Sequence, residues 1–84
     1  MTTWHILGHT AKVLEERRDD YGDAAEQFKA IAERWSITLG TPVTADQVVL
    51  CMIDLKLTRL GYDPRHTDSI VDVIGYAALL KEVR

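Results

Sequence analysis

Length, composition and charge limit what this chain can be. Its 84 residues suffice for one domain, and the net charge of −3 argues against a protein that binds the nucleic-acid backbone through a basic face. The single cysteine excludes an internal disulfide and suits a reducing cytosol. No apolar run approaches the ~20 residues of a membrane span, and the N-terminus lacks the features of a signal peptide, so we expect a cytoplasmic protein.

The first half of the chain predicts two helices. An apolar stripe predicts the first over residues 3–20, and its charged end, residues 15–20, is interpreted either as solvated surface or as part of an acidic site. A Tyr-Gly step then breaks the pattern. Asp23 suits the N-cap of a second helix over residues 23–39, with Glu26 three residues later in the position of a capping box.

A third helix is predicted after a Gly-Thr-Pro turn. Thr44 is its expected cap, with Gln47 in the capping-box position. Two apolar seams follow, one of Val48, Met52 and Leu55 and the other of Val49, Ile53 and Leu60. Lys56 and Arg59 fall at the edges of these seams, where a long cation either reaches out to water or points at acids of the next helix.

The fourth predicted helix, residues 67–83 with Thr67 as its cap, is apolar nearly all the way round, which is typical of a buried helix. Asp68 and Asp72 lie one turn apart and share a face. Asp68 also suits the dipole of the first turn, but Asp72 lies deeper. A carboxylate among aliphatic neighbours is costly unless it is hydrogen-bonded, paired with a cation or bound to a metal. The candidate partners just upstream are Lys56, Arg59 and His66.

Together these elements predict an all-α bundle of about four helices, arranged as two antiparallel hairpins in a single domain over residues 1–84. The alternation of apolar and polar residues that is typical of β-strands is absent. The fourth helix has more apolar surface than so short a chain can cover, so we expect a homodimer or larger, with the third and fourth helices near the interface.

The chemistry of the sequence lies in a small set of charged side chains. The phosphate-binding Walker loop, the Gly-rich dinucleotide fingerprint and zinc-type Cys/His clusters are missing, and His5 and His9, four residues apart, have no visible third metal ligand. What remains is Asp68, Asp72, Lys56, Arg59 and His66. Carboxylates on one helix face suit Mg²⁺, whereas lysine and arginine suit phosphate oxygens. The set therefore predicts a phosphorylated small molecule as ligand, with a nucleotide as the obvious class.

Several motifs resemble those of a family of small phage and prophage proteins of uncharacterised function. They are Tyr21-Gly22, Lys56-x-x-Arg59-Leu60 and His66-x-Asp68-Ser69-x-x-Asp72-x-x-Gly75-Tyr76-Ala77, and the resemblance covers residues 15–81. That family is similar to nucleotide-modification-associated domains and, more distantly, to the all-α, MazG-like nucleoside triphosphate pyrophosphohydrolases. The resemblance implies a helical oligomer with a magnesium-dependent site that cleaves a triphosphate between its α and β phosphorus, and it adds Tyr21 to the nucleotide-binding residues.

The chain departs from the MazG-like pattern in its acids. Those enzymes carry a Glu-Glu-x-x-Glu helix and a second acidic pair spaced Glu-x-x-Asp. Glu15-Glu16-x-x-Asp19 imitates the first but precedes the Tyr-Gly break, and Asp68 and Asp72 are spaced by four rather than three.

These observations leave three readings. In an enzyme, Asp68 and Asp72, with Glu16 or Glu26, hold Mg²⁺ while Lys56 and Arg59 neutralise the phosphates. In a binder, which the departures favour, the phosphate is held by Lys56, Arg59 and His66. Asp72 then orients one of the cations and no metal is needed. Such a protein would bind or sequester a nucleotide in the host cytoplasm, with neither nucleic acid nor membrane as partner. In a scaffold, Asp72 and Arg59 form a buried ion pair within an oligomer.

Overall fold

Four α-helices make up the protein in a computed structural model that describes residues 1–83. They are α1 (Thr3–Tyr21), α2 (Ala24–Leu39), α3 (Ala45–Tyr62) and α4 (Thr67–Leu79). No strand occurs in this range, so the predicted all-α class is confirmed. The first two helices begin and end close to their predicted bounds, and the third begins directly after its predicted cap. Within the same range, no helix has both the length and the apolar character needed to cross a bilayer.

The predicted stop of α1 and the predicted N-cap residues of α2 and α3 are confirmed. Gly22 ends α1 with a φ of 83°, a backbone conformation that favours glycine. Asp23 caps α2 as predicted, by accepting a hydrogen bond from the Ala25 amide, but the predicted capping box with Glu26 is wrong, because the Asp23 side chain bonds the amide before that of Glu26. Thr44 and Gln47 form both bonds of the predicted capping box, and the Thr44 side chain also lowers the pKa of Asp46 in the first turn of α3.

The predicted first residue of α4 is confirmed, but its predicted N-cap and its predicted C-terminal end are wrong. Its N-cap is His66, whose Nδ1 accepts a hydrogen bond from the Ser69 amide at 3.3 Å and lies 2.7 Å from Ser69 Oγ; Thr67 is already helical. The helix ends at Leu79 because the following residues tighten into turns with i−3 bonds. Val83 then lies in the core, 3% exposed, instead of extending the helix.

The core lies mainly between α2, α3 and the chain end. Its buried members are Phe28, Ala32, Ala45, Val48, Val49 and Val83. Tyr76 of α4 joins them through an edge-on contact with the Phe28 ring, whose centroid is 6.0 Å away. Two predictions about burial are wrong: Leu55 is 46% exposed, and α4 leaves Ala77 and Ala78 exposed instead of being covered on all sides.

The position of α4 matters most for the site. It contacts both α3 and α1, while α2 packs on α3. The arrangement as two antiparallel hairpins stays a prediction. Gly75 allows α4 to approach α1 closely, since a β-carbon there would lie 3.3 Å from Leu14 Cδ2. One turn along each helix from this contact, Arg17 of α1 meets Asp72 of α4.

Candidate functional site

Asp72 joins three helices through two ion pairs. Its Oδ1 accepts from Arg17 Nη2 of α1 at 2.9 Å, and its Oδ2 lies 3.0 Å from Lys56 Nζ of α3. The Asp72 side chain is 11% exposed and that of Lys56 is 14% exposed, whereas that of Arg17 is 46% exposed. The expectation that Asp72 is buried and paired with a cation is therefore confirmed. The Asp72–Arg59 pair of the scaffold interpretation is wrong, because Asp72 lies within ion-pair distance of Arg17 and Lys56 and not of Arg59.

A cavity of about 310 Å³ opens beside these ion pairs, between α1, α3 and α4. It is lined by His9, Val13, Arg17, Lys56, Arg59, His66, Asp68, Val71 and Asp72. We call it the cation cavity, because three lysine and arginine side chains face two carboxylates there in a chain whose net charge is −3. Arg59 is exposed, and no carboxylate of residues 1–83 lies within ion-pair distance of it. Its guanidinium donors are therefore not paired with any acid among these residues.

The structure brings five of the predicted site residues together. Lys56, Arg59, His66, Asp68 and Asp72 all line the cation cavity, although they come from two helices and the loop between them. His66 has a structural role as well, since its ring caps α4. Its Nδ1 contacts Ser69, so Nε2 is the ring nitrogen that remains for a ligand in the cavity.

Two predicted site residues lie elsewhere. Tyr21 is 67% exposed at the end of α1 and lines a second, larger groove instead of the cation cavity. Glu26 is exposed on α2 and lines neither. Glu16, the alternative metal ligand, is also exposed and outside both.

Sequence reasoning missed two residues of the cavity, His9 and Arg17. Arg17 belongs to the charged stretch of residues 15–20, which was interpreted as solvated surface or as part of an acidic site. The available signal was spacing: His9, Val13 and Arg17 recur every four residues and therefore share one face of α1. Val13 is partly buried on that face, which indicates that Arg17 points toward the bundle.

The acids do not fit the magnesium site that the MazG-like resemblance implies. Of the proposed ligands, only Asp68 and Asp72 share a cavity, and both oxygens of Asp72 already face cations. Within residues 1–83, no three side chains of His, Cys, Asp or Glu are grouped so that they could hold a metal ion. Because the donors that line the cavity are mostly cationic, the arrangement suits an anion.

The large groove is lined mainly by apolar and aromatic side chains from α1, α2 and α4, with Met52 from α3, and has a volume of about 740 Å³. We call it the aromatic groove, after Tyr21, Phe28, Trp35 and Tyr76. Arg17 lines both the groove and the cation cavity, so the two are neighbours.

Comparison with known proteins places the chain in a family. It belongs to the family described as a domain of unknown function, DUF6378, whose model matches residues 5–84. It is 37% identical over 70 residues to the Gene 55 protein of Mycobacterium phage L5, covering 82% of this chain and 45% of the relative. It is 34% identical over 79 residues to the Gene 55 protein of Mycobacterium phage D29, covering 93% of this chain and 52% of the relative.

These matches confirm the expected kinship with a family of phage proteins. The chain spans about half the length of the curated relatives that it matches. No solved structure matches it.

Proposed function

We propose that the cation cavity binds the phosphate groups of a phosphorylated small molecule, with a nucleotide as the favoured class, and that the protein acts by binding or sequestering this ligand. The observation that supports the proposal most is the double ion pair of Asp72. It holds Arg17 and Lys56, from two different helices, at one cavity that Arg59 also lines. This is the binder reading, with Arg17 added to its phosphate-binding residues.

The ion pairs leave donors for a ligand. Lysine has three N–H donors and arginine has five, and Asp72 contacts only Nζ of Lys56 and Nη2 of Arg17, so both side chains keep further N–H donors. Asp72 fixes the two head groups in place, so less side-chain entropy is lost when phosphate oxygens bind. Because Lys56 is largely buried, its charge is also less screened by water than that of a surface lysine.

A panel of ligands tests this proposal through the thermal stability of the protein. Nucleoside mono-, di- and triphosphates and inorganic tripolyphosphate are added with and without Mg²⁺. A ligand at ~100 times its dissociation constant should add about 2.7 kcal/mol to the free energy of unfolding. We expect stabilisation that does not require Mg²⁺ and leaves the ligand intact.

Other outcomes of the panel distinguish the remaining readings. Stabilisation that needs Mg²⁺, together with pyrophosphate release, would replace the binder with a MazG-like pyrophosphohydrolase. The absence of any response to phosphate compounds would contradict a phosphate site and leave an oligomeric scaffold. A binder of this kind is proposed to act in the cytoplasm of the phage's host.

We further propose that the protein is a homodimer formed through the outer face of α3. Leu50, Leu55 and Leu57 are each about half exposed on this helix, at 49%, 46% and 50%. Leu50 and Leu57 are two turns apart and lie on one side, a spacing suited to helix–helix packing.

Light scattering should therefore give twice the chain mass of 9.5 kDa. The double variant Leu50→Lys/Leu57→Lys should reduce it to the chain mass, while Ile37→Lys, at an exposed position of α2, should not. A measured mass of 9.5 kDa for the unmodified protein would contradict the dimer.

A further inference from the structure

The aromatic groove adjoins the cation cavity, and Arg17 lines both. On α4, the cavity residues Asp68 and Asp72 are followed, one turn on, by the groove residue Tyr76. On α3, Lys56 faces the cavity and Met52, one turn earlier, faces the groove. On each of these two helices, residues that line the cavity and residues that line the groove are one turn apart. The ion-paired Arg17 lies between the two sites.

The net charges of the two linings are opposite. The cation cavity has three cationic side chains against two carboxylates, whereas the groove has three carboxylates, Glu15, Asp23 and Glu82, against two arginines, Arg17 and Arg18. A phosphate is therefore favoured in the cavity over the groove. A ligand that spans both sites is favoured with its anionic end in the cavity and an uncharged end in the groove.

The lining of the groove suits a flat ring. Tyr21, Trp35 and Tyr76 offer aromatic surface, and Trp35 and Tyr76 are only partly buried against the core. Gln27 adds a polar group that is oriented, because its Nε2 donates to the Tyr21 carbonyl at 2.6 Å. Stacking on aromatic side chains is how proteins commonly hold nucleobases with little dependence on their sequence or type.

We propose that the aromatic groove holds the base of the same nucleotide whose phosphates lie in the cation cavity, so that one ligand spans both and Arg17 contacts it at the junction. The inference rests on the proposed function, since it requires that the cavity binds phosphate. It also assigns a role to Tyr21, which lies outside the cavity: Tyr21 contacts the base and not the phosphates.

Comparing nucleoside triphosphates with inorganic tripolyphosphate tests the two halves of the site separately. Calorimetry measures the affinity of each ligand for the unmodified protein, Tyr21→Ala and Tyr62→Ala. Tyr62 is the matched control, since it is 91% exposed and lines neither site. Loss of Tyr21 should weaken nucleotide binding about five- to tenfold, the low end for one base-stacking ring, and leave tripolyphosphate binding unchanged. Tyr62→Ala should change neither.

The fluorescence of Trp35 gives a second, independent readout. In a Trp4→Phe background, which removes the 80%-exposed tryptophan of α1, only Trp35 reports. Its emission should change on addition of the nucleotide and stay constant on addition of tripolyphosphate.

The results separate failure of the groove from failure of the cavity. If tripolyphosphate binds as tightly as every nucleotide, without a Trp35 response to any, the groove assignment is overturned while the phosphate site stands. Equal weakening of both ligand types by Tyr21→Ala would also overturn it. If neither type of ligand binds, the proposed function and this inference fail together.

Discussion

Asp72→Ala is expected to lower the free energy of unfolding by about 3 kcal/mol, the low end for breaking a buried ion pair. The substitution leaves Lys56 without its counter-ion while its side chain is 14% exposed. Arg17 contributes little to this loss, since it is 46% exposed and can turn to water. Urea denaturation followed by circular dichroism measures the change.

Asp68→Ala is the matched control for Asp72→Ala. It removes the same type of residue one turn earlier on α4, where the side chain is exposed and suits the helix dipole, so the expected loss is within ~1 kcal/mol. Adding Lys56→Met to Asp72→Ala should recover part of the stability, because no uncompensated cation then remains. A change below ~0.5 kcal/mol for Asp72→Ala would mean that the ion pairs contribute nothing to the fold, and a gain in stability would favour a metal-ligand role for the acid.

Arg59→Ala is expected to weaken tripolyphosphate and nucleotide binding by about 10- to 100-fold, in line with ~1.5–3 kcal/mol for a hydrogen bond to a charged group. Arg59 lines the cation cavity without a carboxylate partner among residues 1–83, so its donors are free to bind the ligand. Because the side chain is exposed, stability should stay within ~0.5 kcal/mol. Calorimetry measures the affinity and thermal unfolding checks the fold.

Arg34→Ala controls for the general loss of a positive charge. Arg34 is exposed on α2 and lines neither the cavity nor the groove. We expect its removal to change affinity less than twofold at physiological ionic strength, where charges farther apart than ~8 Å are largely screened. Equal effects of Arg34→Ala and Arg59→Ala would show that binding follows overall charge and not the cavity.

The helices were predictable because their signals are local. The capping box of Thr44 and Gln47 and the left-handed Gly22 each depend on residues within one turn. The end of α4 was not predictable in this way. The sequence after Leu79 remains helix-like in composition, and only the tightened turns and the burial of Val83 in the core end the helix earlier.

The site was partly predictable for a related reason. Lys56 and Asp72 lie on consecutive helices, and the unexplained acid on an apolar face indicated a cation nearby. Arg17 lies 55 residues from Asp72, and its neighbours in sequence are charged, which hid it among surface residues. Tyr21 lies one turn beyond Arg17 on α1 but lines only the groove, and no motif in the sequence separates it from the cavity.

The close approach of α4 to α1 at Gly75 limits which residues can occupy that position without disturbing the cavity. Two uncharged groups set the spacing between α1 and α4, and with it the reach of Arg17 toward Asp72. The position of Arg17 at the cavity thus depends on the absence of a side chain at Gly75, one helical turn away. A bulkier side chain at position 75 would change the spacing of α1 and α4 and so the contact between Arg17 and Asp72, although every charged residue of the cavity would remain.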